Sequence, residues 1–174
     1  PSNLNWNMWQ GQTPSVDYIA QRCHGNFRWW YEYSGGKMTD WGAHHVDIAQ
    51  WALDQNGEGK GVLELDPIVG EHQIPFKNGI PTKDNYFNTS HNFHIKCKFP
   101  NEVKMNIVSK SEEGNGILFE GEKGNFFVTR GKLTGAAVDE LKEKPLSSNT
   151  VSAVYKGKKT TNHMENFFAC MKKL

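Results

Sequence analysis

Strand-length segments dominate the middle of this 174-residue sequence, with no helix-length segment between them. They are Gly61–Val69, Asn92–Phe99, Val103–Ser109, Ile117–Glu120 and Phe126–Thr129. Strands that follow one another through short connections pair as antiparallel neighbours, so the sequence predicts a meander from Asn92 to Thr129. The polar stretch Gln73–Asn92, which carries two prolines, is predicted to be a long loop.

The clearest helical pattern lies before these strands, from Gly36 to Leu53. Trp41, Ile48 and Ala52 recur there at intervals of seven and four residues. A second apolar periodicity predicts a helix that packs on the sheet, at His163–Leu174. The other segments are predicted to be an irregular leader, a short strand or extended segment and a solvated connection, at Pro1–Arg22, Phe27–Tyr33 and Lys142–Lys159.

The charge balance and hydropathy exclude two classes of partner. Lys and Arg number 20 against 19 Asp and Glu, which leaves no broad positive field to attract nucleic acid or an anionic membrane. No apolar run approaches the ~18 residues that a membrane span needs. A chain of this length suits one domain with one core, and small neutral ligands are its expected partners.

The cysteines and the chain ends bear on redox state and compartment. Cys23, Cys97 and Cys170 lie far apart and form no metal-binding or redox motif, so we expect all three to be reduced and buried. Neither end carries a start or stop signal, and we expect both to be boundaries within a longer protein. The compartment therefore stays open.

Tryptophan is unusually dense near the start of the sequence, where five of the six fall within the first 41 residues. An indole offers a broad apolar face and one N–H donor, so such density suits a packed core layer or a carbohydrate-stacking surface. Of the two interpretations, we favour core packing.

Asp40, His44 and Asp47 share one face of the predicted helix because they lie at i, i+4 and i+7. A histidine beside a carboxylate is suited to moving a proton near neutral pH. A solvated helix surface would give the same spacing. A metal site is the third interpretation, but His44 and His45 point about 100° apart on a helix, and we expect no metal.

The run from Gly35 to Asp47, GGKMTDWGAHHVD, resembles the G-G-x-x-x-D-x-G-x-H-x-x-D signature of the Gfo/Idh/MocA family of oxidoreductases. Further similar positions are Asn26–Trp30, Trp9 with Gly11, Phe119–Gly121, and His163 with Asn166 and Phe167. The resemblance covers nearly all of residues 1–174. It implies the C-terminal domain, which binds substrate and mediates oligomerisation, with an α+β fold: an open, mainly antiparallel sheet with helices packed on one face.

The resemblance also implies a reaction, in which a hydride passes between a sugar or polyol and NAD or NADP. Asp40 would orient or polarise the substrate hydroxyl, and His44 would be the general base or acid, working with a lysine of the nucleotide-binding domain. Asp47 would brace the site, and His45 is equally well explained as structural. The side chains expected to contact substrate are Arg28, Trp30, Lys37, Trp41, His45 and Asp47.

Two departures from the whole enzyme concern the cofactor. No G-x-G-x-x-G fingerprint is present, since Gly114-Asn115-Gly116 lacks the third glycine. Glu143-Lys144-Pro145 reproduces the family's lysine motif in the wrong domain, and we interpret it as chance. The N-terminal nucleotide-binding domain is thus absent from this sequence, and the isolated chain is expected to bind no NAD or NADP and to be inactive.

Other functions remain open at this stage. By the same resemblance we expect a homo-oligomer formed through the exposed sheet face. A non-catalytic carbohydrate-binding or scaffolding module is one alternative, and a relative that cleaves glycosides through transient oxidation is another. The segments expected to help select the sugar are Gln73–Asn92 and the opening segment with Trp6 and Trp9.

Overall fold

The computed structural model describes residues 1–55, 57–100, 102–154 and 162–172. The chain divides into two compact units, unit 1 (Pro1–Ile117) and unit 2 (Leu118–Leu174). Helices accompany small, open sheets whose strands are mainly antiparallel, which confirms the α+β class. No helix within the described ranges is long and apolar enough to cross a membrane.

Unit 1 begins with helical elements. Its two α-helices and three 3-10 helices are α1 (Trp6–Gln10), Ala20–Arg22, His24–Trp29, Gly36–Met38 and α2 (Trp41–Ala52). α2 confirms most of the predicted helix, whose first turn is instead 3-10. The leader predicted to be irregular contains α1, where the N-cap Asn5 accepts a hydrogen bond from the N–H of Met8.

The segment Phe27–Tyr33 is not a strand, because its first residues belong to the 3-10 helix His24–Trp29. The N–H of Trp30 donates to the carbonyl of Phe27, which closes an i→i+3 turn. The Trp30 side chain is 0% exposed, and its indole N–H donates to the carbonyl of Gln21 at 3.0 Å. Burial of this one ring, rather than alternation along the segment, accounts for the local structure.

The strands of unit 1 form a three-stranded sheet and a hairpin. They are β1 (Glu64–His72), β2 (Phe76–Lys77), β3 (Ile80–Pro81), β4 (Ser90–Lys98) and β5 (Lys104–Val108). The sheet has the order β1-β4-β5 and is antiparallel throughout. Leu65, Cys97 and Met105 lie opposite one another across it and share a face. Phe93 and Cys97 are buried on that face and Phe99 beyond β4 is fully buried, whereas Leu65 on β1 is 64% exposed. The β4 part of this face therefore belongs to the core of unit 1.

The stretch Gln73–Asn92, predicted to be a loop, contains the β2–β3 hairpin and the start of β4. Asn78 and Gly79 connect the two short strands with φ angles of 53° and 78°. Positive φ at both central residues is what a type I′ hairpin turn requires, and Asn-Gly is the pair that favours it. The turn signal was present in the sequence, but the flanking strands are too short to show alternation.

A second three-stranded sheet and three helices follow. They are β6 (Ile117–Gly121), β7 (Gly124–Val128), β8 (Leu133–Thr134), α3 (Ala136–Glu143), α4 (Ser148–Val154) and α5 (His163–Met171). The strand order is β6-β7-β8, and α3 packs against β7 and β8. Because β5 and β6 belong to different sheets, the predicted single meander is wrong. The segment Lys142–Lys159, predicted to be a connection, includes α4, and its residues 155–159 lie outside the described ranges.

α5 confirms the helix predicted at the end of the sequence, although residues 173 and 174 are not described. Its N-cap Asn162 accepts hydrogen bonds from the N–H groups of Met164 and Glu165. The apolar side chains of this helix are each more than half exposed: Met164, Phe167, Phe168 and Met171. The prediction that this face packs on the sheet is therefore wrong.

The three cysteines are free, and two of them are buried. Cys23 and Cys97 lie in the interior, whereas Cys170 on α5 is exposed, contrary to expectation. Burial raises the pKa of the Cys97 thiol, which favours the neutral, unreactive form.

A buried polar cluster, the Arg22 cluster (Arg22, Glu32 and Asn88), holds unit 1 together next to Trp30. The Arg22 side chain is only 2% exposed, and its Nη1 donates to Glu32 Oε1 at 2.7 Å. Nη2 donates to the carbonyl of Asp84 at 2.9 Å. The guanidinium lies 4.0 Å from the centroid of the Trp30 ring, so both its charge and its flat face are used.

Asn88 connects this cluster to the main chain around Tyr31. Its Nδ2 donates to Glu32 Oε2 at 2.9 Å, and its Oδ1 accepts from the N–H of Tyr31 at 2.7 Å. The N–H groups of Asn88 and Thr89 both donate to the carbonyl of Trp29. These bonds fix the chain just before the glycine turn that leads to α2.

Acid is expected to destabilise unit 1 through Glu32. Burial alone would raise the pKa of this carboxyl, but hydrogen bonds from Arg22 and Asn88 and the charge of Arg22 outweigh it, so the pKa lies below its ordinary 4.5. A pKa lowered by folding gives stability that is complete above pH 4.5 and is lost as the pH falls through the folded value. We expect the free energy of unfolding, measured by urea denaturation, to fall more steeply between about pH 5 and about pH 3 in the wild type than in Glu32→Gln. Equal slopes for the two proteins would contradict this assignment.

Candidate functional site

A tight glycine turn sets the start of α2. Gly36 has a φ of 68°, and a Cβ placed there would come within 2.7 Å of Thr89 Oγ1, so only glycine allows this turn to pack against the residue before β4. Thr39 fastens the turn from the other side, since its Oγ1 accepts from the N–H of Gly35 at 2.9 Å and lies 3.1 Å from Ser34 Oγ. Sequence reasoning identified the glycines but missed both threonines.

Asp40 occupies the N-cap position of α2, yet its side chain makes no capping hydrogen bond. Its backbone has φ −90° and ψ −102°, outside the broadly allowed regions. Asp40 Oδ2 lies 3.7 Å from Arg28 Nε, and the Asp40 side chain is 27% exposed. The carboxylate is thus paired with Arg28 while part of it remains open to solvent.

His44 and Asp47 follow on α2, three residues apart and on one face. Both are exposed, whereas His45 is half-buried. The indole of Trp41 lies beside both imidazoles, with ring centroids 6.2 Å from His44 and 5.5 Å from His45. The start of α2 therefore presents an exposed imidazole and two carboxylates next to a partly exposed aromatic ring.

Two cationic side chains, Arg28 and Lys37, belong to the segments that precede α2. The Cζ of Arg28 lies 5.5 Å from the centroid of the Trp29 ring. Lys37 Nζ lies 3.5 Å from the carbonyl of Ser109 just after β5, and Ser109 Oγ in turn donates to Asn92 Oδ1 at 3.1 Å. The structure thus ties Lys37 to the end of the sheet, while its contact with substrate stays a prediction.

Trp30 differs from the other predicted substrate contacts because it is completely buried. Its ring packs edge-on against Phe87, with centroids 5.6 Å apart, and under the guanidinium of Arg22. A ligand could reach it only by opening the core of unit 1, so we leave Trp30 out of the candidate site.

The opening tryptophans pack mainly on one another. The rings of Trp6 and Trp9 stack with centroids 4.8 Å apart, and Trp9 meets Tyr33 edge-on at 5.0 Å. The indole N–H of Trp6 donates to the carbonyl of Val16 at 2.7 Å. Trp6 is half-buried in this packing, but Trp9 is 36% exposed, so the core interpretation does not hold for Trp9. The role of the two indoles in sugar selection stays a prediction.

The described residues contain no group of three or more His, Cys, Asp or Glu side chains that could hold a metal ion. The glycine pair Gly114 and Gly116 is followed directly by strand β6 and not by a helix, so it offers no helix N-terminus to a pyrophosphate.

Residues 1–144 match the family model described as oxidoreductase family, C-terminal alpha/beta domain, of the Gfo/Idh/MocA type. The match spans α1 to α3 and includes every candidate site residue. The fold and the match therefore define the class of this protein as the C-terminal domain of an oxidoreductase. The chain belongs to the Gfo/Idh/MocA family, as its central motif predicted. No match was found among curated proteins or among solved structures.

Proposed function

We propose that this domain supplies the substrate-side proton-transfer groups of an oxidoreductase that moves a hydride between a nicotinamide cofactor and a sugar or polyol. The observation that carries the proposal is the arrangement at the start of α2. Asp40 is held off the helix cap beside Arg28, and His44 is exposed one turn further along. Such a pair can bind a hydroxyl group and take its proton.

In the proposed reaction, the secondary alcohol of the substrate loses a hydride from carbon and a proton from oxygen. The proton passes to a ring nitrogen of His44, and the C–H electron pair leaves with the hydride. Asp40 accepts a hydrogen bond from the hydroxyl and orients it toward the imidazole. In the reverse direction, His44 returns the proton to the carbonyl oxygen.

The surrounding side chains suit a neutral, polyhydroxylated ligand. Trp41 is 41% exposed and offers its indole to the apolar face of a sugar ring. Lys37, Asp47 and, at the half-buried edge, His45 supply donors and acceptors for further hydroxyl groups. The set contains both a cation and an anion, so it carries no strong preference for a charged substrate.

The family generally uses a nicotinamide cofactor, and we propose that NAD or NADP is held by a separate nucleotide-binding domain of the enzyme. When bound there, the nicotinamide ring supplies the hydride acceptor. The residues of this chain act on the substrate and its proton, and the isolated chain is expected to bind neither cofactor.

Oligomerisation through the exposed sheet face also remains a proposal. On the face of the β1-β4-β5 sheet away from the core, Asp66, Lys96 and Asn106 lie opposite one another, and His94 contacts Asn106 at 2.9 Å. A polar face of this kind suits an interface made of hydrogen bonds and ion pairs.

The proposed reaction is tested by following the hydride itself. The intact enzyme, with this domain joined to its nucleotide-binding domain, is incubated with NAD or NADP and a panel of sugars and polyols deuterated at the reacting carbon. We expect one substrate to transfer its deuterium to the nicotinamide in equal amount to the ketone formed. A kinetic isotope effect on the same substrate would show that the transfer limits the rate.

Two other outcomes favour the alternatives. Release of the leaving group from an aryl glycoside, without net cofactor reduction, would indicate glycoside cleavage through transient oxidation. Saturable sugar binding with no deuterium loss under any condition would contradict the proposal and favour a binding module.

A further inference from the structure

We propose that Arg28 is a positioning residue for the reaction, acting through Asp40 rather than on the substrate. The inference rests on the proposed function, because it assigns Arg28 to the same proton-transfer site. It replaces the substrate contact predicted for Arg28 with a role one step removed from the substrate.

The helix caps of this chain provide the first argument. Asn5 caps α1 and Asn162 caps α5, each accepting hydrogen bonds from backbone N–H groups of its helix. Asp40 has an equally suitable side chain at the same position of α2, but no such bond is formed. A capping bond stabilises a helix, so its absence at Asp40 indicates that the carboxylate is held elsewhere.

Arg28 provides the second argument. Its Nε is buried and has no hydrogen-bond partner within the described part of the chain, although the side chain as a whole is 41% exposed. The nearest carboxylate oxygen, Asp40 Oδ2, is 3.7 Å away, within ion-pair range but about 0.8 Å beyond a normal N–H···O bond. A small movement of Asp40 would satisfy the orphaned N–H.

The uncapped Asp40 carboxylate and the unpaired Arg28 Nε can both be explained by the geometry expected in the substrate complex. Catalytic hydrogen bonds are often long in the free enzyme and shorten when the substrate binds. A hydroxyl that donates to Oδ1 of Asp40 would leave Oδ2 to accept from Arg28 Nε, which fixes the plane of the carboxylate. Since a guanidinium is always charged and only donates, Arg28 can hold Asp40 as an acceptor without exchanging a proton with it.

A double-mutant cycle in the intact enzyme tests this role. The four proteins are the wild type, Arg28→Gln, Asp40→Asn and the double variant, assayed on the substrate that the deuterium experiment identifies. We expect Arg28→Gln to lower kcat about 10²-fold, as a misplacement near 1 Å does, with KM little changed. In the Asp40→Asn background, the same change should have no further effect. Arg28→Lys should restore part of the lost kcat.

Controls separate this role from folding. Arg130→Gln removes a surface arginine of unit 2 and should leave kcat unchanged. The melting temperature of Arg28→Gln should stay close to that of the wild type, since the ion pair is long at 3.7 Å and both side chains are partly exposed. If Arg28→Gln unfolds, Arg28→Lys carries the test alone, with its kcat compared in the two Asp40 backgrounds.

The outcomes distinguish this inference from the proposed function. Full turnover in Asp40→Asn would overturn the proposed function, and Arg28 would lose its role with it. If Asp40→Asn loses turnover while Arg28→Gln keeps it, or if the two losses are additive, only the Arg28 inference is overturned.

Discussion

Replacing Arg22 with methionine is expected to destabilise unit 1 by about 3–5 kcal/mol, the usual cost of removing one partner from a buried ion pair. The side chain is 2% exposed and Glu32 is 19% exposed, so the carboxylate left behind has little solvent to compensate it. The carbonyl of Asp84 and the face of Trp30 also lose their partner. With a total stability of about 5–15 kcal/mol, the variant should unfold at a much lower urea concentration.

The control for this prediction is an ion pair at the surface. Lys60→Met removes the cation paired with Asp54, where the two side chains are 39% and 84% exposed, and should cost at most about 1 kcal/mol. Urea denaturation of the three proteins gives both differences. If Arg22→Met cost no more than Lys60→Met, the Arg22 cluster would not be the support that its burial indicates.

Replacing His44 with alanine is expected to lower kcat of the intact enzyme by about 10²–10⁴-fold, the usual contribution of a general base or acid. The free energy of unfolding should stay unchanged, since His44 is exposed on the solvent side of α2. We expect the affinity of the variant for substrate to stay close to that of the wild type, because the lost interaction belongs mainly to the transition state.

His91→Ala is the matched control, since His91 is also exposed but lies on β4. It should keep wild-type turnover. Rescue of His44→Ala by added imidazole would support proton transfer at this position. If His44→Ala turned over at the wild-type rate, the general base would have to be another group, and the role assigned to α2 would be wrong.

Sequence reasoning identified the elements whose signals are local. α2 was predictable because its apolar residues repeat with helical period, and β4 and β5 because Phe99–Val103 allows only a tight connection. The 3-10 helix His24–Trp29 was not predictable, since the packing of Trp30 against Arg22 involves a network that reaches Asp84. The sheet that a strand joins depends on pairing with residues far away in the sequence. The periodicity within one strand carries no information about that pairing.

Asp40 and His44 could be proposed as site residues from the sequence, whereas the burial of Trp30 and the geometry around Asp40 could not be predicted. The spacing of Asp40 and His44 and the family motif were visible in the sequence. The sequence also makes Asp40 a natural helix cap, and nothing local shows that its carboxylate is paired with Arg28 twelve residues earlier. That pairing depends on the 3-10 helix, which was itself missed.

The unequal burial of the three cysteines allows a spectroscopic label to be attached to the protein at a single position. Cys23 and Cys97 are enclosed and Cys170 is open to solvent, so a maleimide dye or spin label applied to the folded wild-type chain would attach at one place, on α5. The label would then lie on a helix whose apolar side chains face solvent. This helix follows residues 1–144, the segment that carries the family match and the candidate site. A reporter of that kind senses what approaches α5 and needs no substitution at Asp40 or His44.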